Sequence, residues 1–106
     1  MFDRGFRFKR DYSIEELSEI VGPVARRHKI TAVYLFGSRA RGDNRRDSDY
    51  DMIVETAPGF RLFDLFGFQD ELEAILGREV DAMSAGALRD DNFSRSVLRE
   101  MVKVYG

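Results

Sequence analysis

The sequence has no cysteine and no tryptophan, a single histidine (His28) and two prolines among its 106 residues. Without cysteine there is no disulfide, no thiolate metal site and no Cys–His nucleophile, a composition that fits the cytoplasm. One histidine excludes a histidine-rich zinc centre, and a Ser-His-Asp triad would have to use His28. That residue follows Arg26 and Arg27 near the end of an expected helix, where the helix dipole favours a solvated imidazole. No apolar run approaches the ~20 residues that span a bilayer, and the opening stretch MFDRGFRFKRDYS lacks the apolar centre of a signal peptide, so no membrane association is expected. Net charge is only −2, too small for a global field that steers the chain to nucleic acid, and direct nucleic-acid binding is not expected. Any basic function must be local, and any catalysis must rest on carboxylates and arginines.

What is present reads as one domain over residues 1–106, with 43% hydrophobic and 34% charged residues. Phe6 and Phe8 alternate with Arg7 and Lys9, the pattern of a short edge strand. Ser13 and Glu16 form a capping box, with Tyr12 and Leu17 as a staple, and apolar spacing predicts a helix over 13–28. Gly22-Pro23 should kink or break it. Thr31–Phe36 is β-branched and aromatic, the composition of a buried strand, and Ser38–Gly42 a short helical turn. Tyr50–Glu55 and Glu79–Ser84 are further strands. Leu62–Leu76 is a helix ended by Gly77, and Asn92–Met101 another. Val102–Tyr105 is either the frayed end of that last helix or a final strand. On the 62–76 helix the apolar residues cover about half the circumference, which is either one wide core face or a protein-binding surface near Phe60, Phe63 and Phe68. Strand and helix alternate around a small sheet, an α/β (α+β) domain.

The chemistry concentrates in residues 34–55, YLFGSRARGDNRRDSDYDMIVE. Side chains two apart on a strand share a face, so Asp49 and Asp51 project together. Adjacent carboxylates repel and are costly to bury, and a hard divalent cation such as Mg²⁺, bound by one or two carboxylates plus phosphate oxygens, relieves both problems. Asp81, between Val80 and Ala82, could complete a three-carboxylate cluster, although spacing alone does not bring it there. Gly37-Ser38, ending a strand ahead of a helical turn, offers backbone amides and a hydroxyl to phosphate. Arg39 and Arg41 would neutralise a polyphosphate.

Gly37-Ser38, ten residues, then Asp49-Tyr50-Asp51 matches the GSX10DXD signature, and the chain resembles the minimal nucleotidyltransferase (MNT) family of the polymerase-β-like nucleotidyltransferase superfamily. The likeness spans about residues 13–84 and includes "VDAM" at Asp81. It implies a mixed β-sheet flanked by helices, two Mg²⁺ ions, and transfer of AMP from ATP. In matching positions Asp49, Asp51 and Asp81 would be catalytic and bind metal, and Gly37 and Ser38 would hold the triphosphate. Ala82 and Met83 depart mildly from the larger aliphatic residues usual after the third carboxylate. Many such proteins resemble antitoxins encoded beside a HEPN-domain ribonuclease toxin, which they silence by attaching AMP to a tyrosine. The small size favours that branch and a hetero-oligomer with the toxin. Two other readings fit the same residues: an antitoxin that neutralises its partner by binding alone, and a small-molecule nucleotidyltransferase completed by a second chain.

Overall fold

The computed structural model describes residues 11–106, and the edge strand expected around Phe6 and Phe8 lies outside them. Helix α1 (Ile14–Arg27) begins at the expected capping box: Ser13 Oγ accepts from the Glu16 amide (3.1 Å), and Glu16 Oε1 accepts from the Ser13 amide (2.9 Å). The expected break at Pro23 does not occur. Proline removes one hydrogen-bond donor, but Leu17, Val21, Gly22, Val24 and Ala25 are all buried, and that packing holds the helix through it. Gly22 is the close approach: a Cβ there would lie 3.4 Å from the Tyr105 ring.

Strand β1 (Ile30–Phe36), helical turn α2 (Ser38–Arg41), β2 (Tyr50–Thr56), helix α3 (Leu62–Leu76), β3 (Val80–Ser84), a 3₁₀ turn (Ala85–Ala87), helix α4 (Asn92–Glu100) and β4 (Val102–Tyr105) follow. The last segment is therefore a strand. The sheet order is β3-β2-β1-β4, with β1 antiparallel to β2 and to β4, and β2 parallel to β3. The parallel pair is joined by α3, as a parallel connection requires. Both α1 and α3 pack on the sheet and touch each other, so they cover one face. Tyr50, Met52 and Val54 of β2 point into that core with Leu17, Val21, Phe68, Leu72 and Leu76. By alternation, Asp51 and Ile53 point to the opposite face.

Helix α3 divides its apolar residues differently from the wheel reading. Leu65, Phe68, Leu72 and Leu76 are buried, whereas Leu62, Phe63 and Phe66 are exposed. Phe68 is a core residue, so the exposed apolar surface sits at the helix's first turns. The polar side of α3 has its own task. Gln69 Oε1 accepts from the Ala82 amide (2.8 Å) and Glu73 Oε2 from the Val80 amide (2.9 Å). These side chains occupy two amides of edge strand β3 and tie it down on either side of Asp81.

His28 is not the solvated imidazole expected of a helix end. Its Nε2 lies 2.9 Å from Glu71 Oε1, Arg27 donates to Glu71 Oε2, and the ring rests against Gly67, where a Cβ would sit 2.8 Å from Cε1. Glu71 thus joins the end of α1 to the middle of α3. Hydrogen bonds from Arg27 and His28 hold its carboxyl below the ordinary carboxylate range. A carboxyl with a depressed folded pKa stabilises at neutral pH, and that contribution fades as pH falls through the folded value. Glu71→Ala should therefore cost about 1 kcal/mol or less near neutrality, as partly exposed ion pairs do. The difference from wild type should be smaller in urea unfolding carried out in acid. An equal loss at both pH values would show that the pair contributes no charge-dependent stability.

Candidate active site

The sheet register assembles the site. Phe36 of β1 pairs with Asp51 of β2, and Asp51 pairs with Asp81 of β3, so the three form one row across the face not covered by α1 and α3. A cleft of about 590 Å³ opens over that row, lined by Gly37, Ser38 and Arg41 from the β1–α2 turn and by Phe93, Ser96, Val97 and Glu100 from α4. A cleft of this size suits a small-molecule ligand.

Gly37 sits at the point of closest approach. Its φ of 74° and ψ of −154° belong to a region essentially restricted to glycine, and a Cβ there would lie 2.6 Å from Asp51 Oδ2. The chain can turn directly over the Asp51 carboxylate only because the side chain is missing. Ser38 then opens α2, whose first amides have no intrahelical acceptor by the geometry of a helix start.

Asp51 is half-buried, and its carboxyl is pushed above the ordinary range, first by desolvation and then by the charges of Asp81 and Asp49, with Arg41 opposing. Asp81 is exposed at the β3 end of the row. Asp49 lies just before β2, exposed, and is not among the residues lining the cleft. Among the described residues no group of three or more His, Cys, Asp or Glu is arranged to hold a metal ion by itself. Two aspartates, Asp51 and Asp81, therefore enter the cleft beside a turn built for close approach, while the third carboxylate of its lining, Glu100, is paired with Arg41. That fits magnesium, which takes few carboxylates and completes its shell with water and phosphate oxygens.

The arginines separate. Arg41 lines the cleft and is held by Asp43 (3.1 Å) and Glu100 (3.1 Å), which raise its pKa further. Arg39, expected beside it, is turned into the fold instead. Its side chain is 5% exposed, donates to the carbonyls of Ser48 (2.8 and 3.0 Å) and Arg46 (3.1 Å) and to Asp11, and lies 4.0 Å from the Tyr50 ring centroid. It shapes the loop leading to Asp49. The α4 residues Phe93, Ser96, Val97 and Glu100 had no local signature of function. Their only sequence signal is i, i+3, i+4, i+7 spacing, which any packed helix shows.

The chain is similar to several known proteins. The family described as a nucleotidyltransferase domain matches residues 17–104. A candidate protein adenylyltransferase of Methanocaldococcus jannaschii is 34% identical over 76 residues, covering 72% of this chain and 82% of the relative. The protein adenylyltransferase MntA of Thermococcus cleftensis is 30% identical over 96 residues, covering 87% and 96%. Among solved structures, a candidate minimal nucleotidyltransferase superposes with a TM-score of 0.71 at 36% identity, covering 86% of this chain and 95% of that one. An MNT antitoxin complexed with a tri-AMPylated HEPN toxin from Shewanella oneidensis shares the fold, with a TM-score of 0.65 at 18% identity and coverage of 89% and 73%.

Two substitutions test the geometry without any ligand. Gly37→Ala should cost about 1–3 kcal/mol for its backbone region alone and displace the Asp51 carboxylate. A thermal midpoint equal to wild type would show that the turn is unstrained. Asp51→Asn should do the reverse. A carboxyl whose folded pKa is raised destabilises the fold as pH climbs above the ordinary carboxylate range, because the unfolded chain ionises more readily. The amide removes that cost, so the ligand-free midpoint at neutral pH should rise, each kcal/mol relieved being worth about 4–8 °C in a domain this size. The gain should close in acid, and a lowered midpoint at neutral pH would contradict the burial of charge at Asp51.

Proposed function

The chain belongs to the nucleotidyltransferase domain family, and on that premise we propose that it moves AMP from ATP to a tyrosine hydroxyl of a partner HEPN ribonuclease toxin, acting as its antitoxin. The single observation that carries this reading is the packing of the Gly37–Ser38 turn directly over Asp51, in register with Asp81. The relatives named protein adenylyltransferase support the choice of a protein acceptor, and the fold shared with an antitoxin bound to an AMPylated HEPN toxin supports the choice of partner.

In this reading Gly37 and Ser38 bind the triphosphate, and Arg41 exchanges Asp43 and Glu100 for phosphate oxygens. Asp51 and Asp81, with Asp49 two residues ahead of Asp51, would hold magnesium, as two ions in the family's pattern. Bound there, magnesium would supply positive charge that offsets the phosphate oxygens and the departing pyrophosphate. The acceptor hydroxyl oxygen attacks the α-phosphorus, a new P–O bond forms as the α–β bond breaks, and pyrophosphate leaves. The hydroxyl proton passes to a carboxylate, and the exposure of Asp81 supports its choice as the acceptor.

Incubating the chain with α-labelled ATP, Mg²⁺ and the HEPN protein encoded beside it should label a tyrosine of that partner. Asp51→Asn with Asp81→Asn should reduce labelling by about a hundredfold or more, the scale seen when a transition-state stabiliser is removed. Undiminished labelling would put the active centre elsewhere. Full neutralisation of the partner by the unlabelling variant would favour inhibition by binding alone.

A further inference from the structure

The cleft has an aromatic end that the phosphate chemistry leaves unused. Phe36 begins the row at its β1 side and is bonded directly to Gly37. Phe93 of α4 meets it edge to face, with ring centroids 6.1 Å apart and planes at 82°. Such a contact leaves both faces of one ring uncovered by the other, and Phe93 stays 55% exposed at the cleft. One turn further along α4, Ser96 and Val97 line the same wall.

We propose that Phe93, braced by Phe36, is the subsite for the nucleobase of the bound nucleotide, a planar heteroaromatic ring stacked on an exposed phenylalanine. The inference rests on the nucleotide-binding reading of the cleft and assigns it a second half. Continuity supports it: a base hangs one sugar away from its phosphates, and the aromatic wall begins one residue from the proposed phosphate turn, in the same cavity. The order of the row then separates the two substrates. Phe36 stands at the β1 end, Asp51 in the middle, and the exposed Asp81 at the β3 end. The base occupies the first, while the acceptor hydroxyl approaches the last. Stacking accepts any base because every base has a π-face, so the wall supplies affinity and leaves selectivity to groups such as Ser96.

Calorimetric titration with magnesium and either the non-hydrolysable analogue AMP-PNP or inorganic tripolyphosphate separates the two halves of the cleft. Wild type should bind AMP-PNP at least about tenfold more tightly than tripolyphosphate. Phe93→Ala should weaken AMP-PNP by about five- to a hundredfold and leave tripolyphosphate unchanged, and Phe93→Tyr should retain AMP-PNP affinity. Unchanged AMP-PNP affinity in Phe93→Ala, or equal loss of both ligands, would overturn the base subsite while leaving the phosphate site standing. Unchanged AMP-PNP affinity with slowed transfer to the protein acceptor would also overturn it, giving the wall to the acceptor. Failure of wild type to bind either ligand would remove the nucleotide reading and the subsite with it.

Discussion

The structure turns on a half-buried carboxylate held beside another of the same charge. Asp51 and Asp81 are register partners on parallel strands, and the glycine turn after β1 passes directly over Asp51. Desolvation and the neighbouring charges make that arrangement unfavourable in the folded protein alone. The surrounding core must hold it in place: two helices on the opposite face bury Tyr50, Met52 and Val54, the β2 residues that alternate with Asp51. Strain of this kind, maintained by packing elsewhere, is common where a ligand is to be received.

Other features serve the same placement from a distance. Gln69 and Glu73 of α3 occupy amides of β3 on either side of Asp81, so a helix on one face helps set a carboxylate used on the other. Glu71 of the same helix takes hydrogen bonds from Arg27 and His28 and links α3 to α1. Arg39 and Arg41 show how two residues apart on one short turn can serve separate purposes. Arg39 is sequestered against Tyr50 and the loop carbonyls, where it shapes the approach to β2, whereas Arg41 faces the cleft.

The elements were largely legible because hydrophobic period and punctuation agreed locally. The 62–76 helix with its terminal Gly77 and the strands at 50 and 80 fall where apolar pattern and turn residues put them. Pro23 does not break the helix because its five buried neighbours hold it together against the loss of one hydrogen bond. The 62–76 wheel left a core face and a binding surface both open, because it shows which residues share a face but not how much of that face the sheet covers; Phe68 is core and Phe63 is exposed.

Local sequence determined the first three strands of the sheet, the capping box, the glycine turn and the spacing of Gly37-Ser38 ahead of Asp49 and Asp51, because each depends on residues within about a dozen positions and on backbone sterics. Tertiary structure alone decided that Asp81 joins Asp51 in the cleft while Asp49 remains outside its lining. It also decided that Arg39 turns inward, and that Phe93 and Glu100 complete a wall with residues more than fifty positions earlier. Those outcomes follow from strand register and helix docking, which are set by burial summed over the whole core and leave no trace in any short stretch of chain.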